Sequence, residues 1–324
     1  MKARVLVTGA AGFVGSSVAA RLAREGYAVT GADNFSPYYS IQLKRDRTDV
    51  LLSPLGIKCH AVDLSDEKQV GALFDLVRPE LVVHLAAQAG VRYSVTDPQA
   101  YILANLVGFA NVIEASRRFN VGHFVYASSS SVYGESTKSA FSETDATDAP
   151  VSLYAATKKS NEMMAHAYSQ LYGLPATGLR FFTVYGPWGR PDMAYFSFTE
   201  KIRTGEPVVA FADGLLTRDF TYIDDIVEGV VRLLRKPKPL DQGIRHEIYN
   251  IGNNQPVTVL ALIRILERVV GRTARIEFAP MQGGDVSATC ADISKLRGWV
   301  DFAPAIALET GLGRFYDWLV TWRT

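Results

Sequence analysis

Val5-Leu6-Val7-Thr8-Gly9-Ala10-Ala11-Gly12-Phe13-Val14-Gly15 is the stretch that decides the fold: a short apolar run passes into a glycine-rich turn and then a helical pattern. An unbroken apolar run of this length suits a parallel strand buried on both faces. The turn and the helix start after it aim backbone N–H groups at one spot, an anion site made of main chain. The spacing is GxxGxxG, and close packing of helix on strand is the other use of such a turn. Asp33 follows Gly15 by 18 residues, at the end of a second apolar run. A carboxylate there binds both hydroxyls of an adenosine ribose and repels a 2′-phosphate, which favours NAD over NADP. A turn residue ahead of Asn34 is the alternative reading of Asp33.

Further runs at Ala28–Asp33, Cys59–Asp63, Leu81–Leu85, Phe124–Ser128 and Ala176–Phe181 read as strands, with helical patterns between them. Strand and helix alternating over the first 180 residues predict an α/β fold with a doubly wound parallel, Rossmann-like sheet. Asp63-Leu64 ends the third run, where it either brackets an adenine or caps the next helix. After Phe181 the rhythm changes: Gly186-Pro187-Trp188-Gly189-Arg190-Pro191 reads as a rigid loop, and Lys236-Pro237-Lys238-Pro239 as another break. A smaller C-terminal α/β substrate lobe is expected to begin there. The expected boundaries are 1–180 for an NAD-binding domain, with 224–253 returning to it, and 181–223 with 254–324 for the lobe. Leu260, Ile263, Leu266 and Val270 have helical spacing and read as core.

Lys and Arg number 34 against 33 Asp and Glu, a net charge of +1, so neither nucleic acid nor an anionic membrane is an expected partner. Cys59 and Cys290 are far apart with no CxxC, which encodes neither a disulfide framework nor a zinc cluster. His60, His84, His123, His166 and His246 lack metal-ligand spacing, so no metal is expected. No signal-like start and no long apolar span is visible, so a cytoplasmic protein without a membrane partner is the expectation.

Tyr154-Ala155-Ala156-Thr157-Lys158 puts a phenol and an ammonium at i and i+4, on one face of a helix. The pair follows the strand ending in Ser128-Ser129-Ser130-Ser131, at the sheet edge where α/β proteins bind ligands. A phenolate near neutral pH needs roughly 4 kcal/mol of differential stabilisation, and two cations, Lys158 and an oxidised nicotinamide, are candidates to supply it. A serine hydroxyl would hold the reacting alcohol; a polar loop capping the strand is the other reading of the serines.

Together these residues resemble the extended short-chain dehydrogenase/reductases, through GxxGxxG, Asp33, His84-Leu85-Ala86-Ala87-Gln88, the serine cluster, Tyr154/Lys158 and Arg218-Asp219-Phe220. Within them three stretches look like the UDP-glucuronate 4-epimerases: 86–94, 180–194, and Asp33-Asn34 leading to Tyr38-Tyr39 and Lys44-Arg45. The resemblance implies Tyr154 as base, Lys158 as its pKa-lowering and ribose-binding partner, and Ser129 as the hydroxyl, with Ser128 and Ser130 the alternatives in register. It implies a cofactor site of Gly9, Gly12, Phe13, Val14, Gly15, Asp33, Asn34, Lys44, Asp63, Leu64, Leu85, Ala86, Ala87, Gln88, Asn105, Tyr154, Lys158 and Phe181.

The implied reaction converts UDP-glucuronate to UDP-galacturonate through a transient 4-keto sugar, the C4 hydride passing to NAD and back. With no net redox change, NAD stays bound as a prosthetic group. Ser131 stands where related dehydratases and decarboxylases carry an acid, so both reactions are disfavoured. Ser130, Ser131 and Thr183 are expected to hydrogen-bond the uronate carboxylate, with Arg92 near the sugar, Arg190 and Arg218 on the diphosphate, and Asp285 on the ribose. Ser287, where a Pro often follows the Asp285 motif, and Phe35-Ser36-Pro37, without the Asn common after the strand-two Asp, are departures from the pattern. The rival readings are a UDP-glucose or UDP-N-acetylhexosamine 4-epimerase, a UDP-glucuronate decarboxylase, and a non-catalytic NAD-binding sensor. Helices at 100–119 and 152–172 are expected to pair in a homodimer, as in related proteins.

Overall fold

The structure, a computed structural model, describes residues 2–135, 138–239, 243–281 and 286–323. In chain order the first half runs β1 (Arg4–Thr8), α1 (Phe13–Arg24), β2 (Ala28–Asp33), α2 (Ile41–Arg47), β3 (Cys59–Ala61), α3 (Glu67–Val77), β4 (Leu81–His84), α4 (Tyr93–Thr96), α5 (Pro98–Tyr101), α6 (Gly108–Arg118), β5 (His123–Ser129) and α7 (Leu153–Tyr172). The second half runs β6 (Ala176–Phe181), β7 (Thr183–Tyr185), α8 (Ala194–Thr204), β8 (Pro207–Phe211), β9 (Thr217–Tyr222), α9 (Ile223–Leu234), β10 (His246–Ile251), β11 (Pro256–Thr258), α10 (Val259–Val270), β12 (Arg275–Ala279), α11 (Ser294–Val300) and α12 (Leu308–Arg323).

Alternation along the strands builds the layers. Val5 and Val7 of β1, Val83 of β4 and Val125 of β5 face a core completed by α1 and α9. Leu6, Val82, Phe124 and Tyr126 point the other way, into a core with α3, α6 and α7. Successive side chains leave a strand on opposite faces, so an unbroken apolar run is what a sheet covered on both sides requires. The seven-stranded sheet has the order β10-β6-β5-β4-β1-β2-β3 and is parallel throughout. From β1 the chain moves outward to β2 and β3, then returns to the other side at β4. Ligands bind outside the carboxyl ends of strands at such a reversal. There Thr8 and His84 are register partners, joined by a 2.8 Å Oγ1 to Nδ1 hydrogen bond.

The expected strands form with ends shifted by a residue or two: β3 stops at Ala61 and β5 gains His123 and Ser129. The helix expected over 100–119 begins at Pro98 and passes through a π-helical stretch, Ile102–Val107, between α5 and α6. Beyond β6 two small sheets form, β11-β9-β7 and β12-β8, before and after β10 joins the large sheet beside β6. Ile263 and Leu266 of α10 are buried as expected, while Leu260 and Val270 are half-buried. No helix among the described residues is long and apolar enough to cross a membrane.

Candidate active site

The turn after β1 shapes the floor of the site. Gly9 has φ +69°, and a Cβ there would lie 2.7 Å from Ala86 N. A Cβ on Gly15 would come within 2.0 Å of Gly9 O, so only glycine lets α1 start this close to β1. α1 begins at Phe13 with no side-chain cap and no acidic residue in its first turn. Its N-terminal N–H groups therefore keep their dipole for an anion. This donor set fits a dinucleotide pyrophosphate. At the end of β2, Asp33 accepts from Ala11 N (3.1 Å) and Phe35 N (2.8 Å), which fixes its carboxylate at the lip of the same cleft.

The cleft has a volume of about 460 Å³. Gly9, Gly12, Phe13, Val14, Gly15, Asp33, Asn34, Lys44, Asp63, Leu64, Leu85, Ala86, Ala87, Gln88, Tyr154, Lys158 and Phe181 line it, together with Ser128, Ser129 and Arg190. Asp63 shapes the turn after β3, its Oδ1 accepting from Ser65 N and Ser65 Oγ; the cap of α3 is Asp66. Lys44 is buried, its Nζ donating to Ser36 O (2.8 Å) and lying 4.7 Å from the Tyr39 ring centroid. Burial pushes its pKa down, against the opposing field of Asp33.

Asn105 lies behind the cleft wall rather than in it. Its Oδ1 accepts from Gln88 N (2.8 Å), and its Nδ2 donates to Gln88 O (3.0 Å) and Thr157 Oγ1 (3.0 Å). It therefore braces the Leu85–Gln88 loop against α7. Ser36, Tyr38, Tyr39, Ala100, Leu103, Ala104, Phe182, Val184 and Met193 also line the cleft and were not predicted as contacts. Of these, Tyr38-Tyr39 and, within 180–194, Phe182, Val184 and Met193 lie in the stretches that carry the family resemblance.

Ser152 caps α7 by accepting from Ala155 N (3.1 Å), and the first turns of the helix then present Tyr154 and Lys158 to the cleft. Lys158 Nζ donates to Ala127 O (2.8 Å), and burial pushes its pKa down to about 8. Neighbouring residues of β5 point in opposite directions, which separates the serines. Ser128 Oγ donates to Glu162 Oε1 (2.6 Å), which also pairs with the buried Arg180. Ser129 Oγ instead accepts from Ser131 N (3.2 Å) and Ser131 Oγ (2.9 Å). Ser129 is also the hydrogen-bonding neighbour of the Tyr154 phenol.

Burial raises the Tyr154 pKa above the usual tyrosine range; the Ser129 hydrogen bond and the Arg190 charge act to lower it but do not overcome burial. The groups that act to lower it here are Ser129 and Arg190, while Lys158 lies one turn along the same helix. The Lys158 ammonium gives one of its three N–H donors to Ala127 O, and burial lowers its pKa.

Arg190 pairs with Asp192 through Nη2 to Oδ2 at 2.5 Å. Arg92 stacks over the Phe211 ring, 5.3 Å from its centroid. Ser130 and Ser131 start the turn after β5, and Thr183 starts β7, all half-buried. Arg218 lies on β9, where its Nη1 donates to Thr217 O (2.8 Å), and it is not part of the cleft wall. Asp285 lies outside the described residues. Among the described residues no cluster of three metal-ligating side chains occurs.

Over 330 residues the chain is 49% identical to UDP-glucuronate 4-epimerase 1 of Arabidopsis thaliana, covering 98% of this chain and 77% of the relative. It is 45% identical over 328 residues to a probable UDP-glucuronate 4-epimerase of Rhizobium meliloti, covering 97% and 96%. The crystal structure of UDP-glucuronic acid 4-epimerase from Bacillus cereus, in complex with UDP-glucuronic acid and NAD, superposes with a TM-score of 0.90 at 35% identity, covering 98% of this chain and 99% of that one. A family model spans residues 5–252, from β1 through the return of β10 to the sheet. With its glycine turn, its Asp33 and its Tyr154/Lys158 pair on that frame, this chain belongs to the NAD dependent epimerase/dehydratase family.

Proposed function

We propose that the chain converts UDP-glucuronate to UDP-galacturonate by NAD-dependent epimerisation at C4, through a transient 4-keto sugar. The observation that carries the reading is one cleft lined by the glycine turn, Asp33, Ser129, Tyr154 and Lys158, with a hydroxyl at position 131 in place of an acid. The dinucleotide, when bound, supplies a two-electron acceptor and a positively charged ring. Tyr154 Oη takes the proton of the C4 hydroxyl as that carbon is oxidised and returns it to the opposite epimer. Ser129 holds the alcohol oxygen against the phenol, itself oriented by Ser131. Lys158, fixed to Ala127 O, binds the nicotinamide ribose.

A 4-keto uronate is a β-keto acid and loses CO₂ readily, so the carboxylate must be held without driving the cleavage. Ser130, Ser131 and Thr183 offer neutral hydroxyls for this, and no carboxylate stands at 131 to remove the C5 proton. Arg92 meets the sugar, Arg190 and Arg218 the diphosphate, and Asp285 the ribose. Residues 1–180 with 224–253 form the dinucleotide-binding unit, and 181–223 with 254–324 the sugar-nucleotide lobe. The return of β10 to the large sheet and the small sheets of β7, β8, β9, β11 and β12 support that division.

The free thiols of Cys59 and Cys290 suit the cytoplasm. A homodimer would cover Val107, Met163 and Leu171, apolar side chains left exposed on the π-helical stretch and α7; sedimentation equilibrium reads it directly. The reaction is tested by adding UDP-glucuronate to the purified protein without external NAD and following the C4 proton by NMR. UDP-galacturonate is the expected product. No turnover, or turnover only of neutral UDP-hexoses, rejects the reading.

A further inference from the structure

Arg47, at the end of α2, is wholly buried, and no carboxylate lies within ion-pairing distance of it among the described residues. Its guanidinium spends its donors on neutral acceptors instead: Ala11 O (3.1 Å), Trp188 O (2.9 Å), Gly189 O (3.1 Å) and Tyr39 Oη (2.7 Å). Sealing a charge from water without a counterion is costly, so its retention calls for a role beyond ion pairing. The acceptors come from three separate segments. Ala11 belongs to the glycine turn that would cradle pyrophosphate, Tyr39 to the connection after Asp33, and Trp188-Gly189 to the loop presenting Arg190. A second link runs in parallel, Tyr38 Oη donating to Asp192 Oδ2 (3.1 Å), the carboxylate that holds Arg190.

We propose that Arg47 is a positioning residue that couples the two ligand sites. It locks the dinucleotide turn at Ala11 and the substrate loop at Trp188-Gly189 into one register, so that an occupied cofactor cradle preorganises Arg190 for the diphosphate of a nucleotide sugar. A planar guanidinium reaches all four acceptors at once, which an ammonium on a flexible stem does not. Coupling of this kind is reciprocal: each ligand tightens the other by the same factor. This inference rests on the nucleotide-sugar reading of the preceding section.

The test measures the affinity for UDP by calorimetry on NAD-loaded and NAD-stripped protein, for the wild type, R47K, R47M and Y39F. The wild type should bind UDP at least about 5-fold more tightly when loaded, within the usual range of site-to-site coupling. In R47M the ratio should fall to about 1, the KM for the sugar nucleotide should rise about 10-fold with kcat falling less, and purified protein should carry less NAD. R47K should lie between, and Y39F, which removes one acceptor of four, should lose the least. If R47M does not fold, a reduced ratio in R47K supports the coupling and an unchanged ratio overturns it. The proposal is also overturned if the variants keep the wild-type ratio and only melt earlier, or if the wild type shows no ratio. Failure of the loaded wild type to bind UDP at all would instead reject the nucleotide-sugar reading.

Discussion

Replacing Lys158 by methionine should change the way stability depends on pH, and the structure sets the size of the change. Burial moves the ammonium from 10.5 to about 8. At 1.36 kcal/mol per unit this is a penalty of about 3 kcal/mol, carried by the folded protein while the lysine is charged. The substitution removes that penalty but leaves Ala127 O without its donor at 2.8 Å, a loss of about 1–3 kcal/mol. At neutral pH the two nearly offset, whereas the lost hydrogen bond cancels from the pH dependence.

The sign follows from proton counting. Below about pH 8 folded and unfolded chains both hold the proton, and the penalty is fully present. Between about 8 and 10.5 the unfolded chain binds more protons than the folded one, so wild-type stability rises with pH. Urea unfolding of dinucleotide-free wild type and Lys158→Met at pH 7, 8, 9 and 10 should therefore show the wild type gaining about 2.5 kcal/mol on the variant. A difference that stays constant over that range would refute the buried, weakened ammonium.

Tyr154→Phe should lower kcat by roughly 10²–10⁴-fold, the usual worth of a general base, while NAD still co-purifies; stopped turnover together with lost cofactor would point to a folding defect. Ser131→Ala or Thr183→Ala should raise the share of UDP-pentose by-product in a product assay by chromatography, and an unchanged product ratio would remove both residues from the carboxylate site. Gly15→Ala places a methyl group 2.0 Å from Gly9 O, so it should strip NAD from the purified protein and lower the thermal midpoint; a variant retaining wild-type NAD content would contradict the packing argument.

The parts of the molecule legible in the sequence are those that local spacing determines. The β1 run and its glycines specify a buried strand, a tight turn and an uncapped helix start within 12 residues. Tyr154 and Lys158 fall one turn apart on a single helix. The four serines resisted because their roles depend on which face of β5 each occupies. Only the strand register sends Ser128 to Glu162 and Ser129 toward the phenol.

Long-range packing hid the rest. Nothing in the local sequence marks Arg47 as a buried charge, yet Lys44 and Arg47 are both buried because Ser36 and the 188–189 loop close over them. Asn105 carries a polar side chain that points to a ligand in a one-dimensional reading, while the fold turns it to the back of the Gln88 loop. Spacing shows the ammonium beside Tyr154, whereas the burial that raises the phenol's pKa appears only once the cleft is built.

UDP-glucuronate carrying deuterium at C4, given to the purified protein in the presence of excess free NAD, offers the most direct check on an internal, reversible oxidation. The account predicts UDP-galacturonate with its deuterium still at C4, and none in solvent or in the free dinucleotide pool. Label washed into water or recovered on external NAD would contradict it.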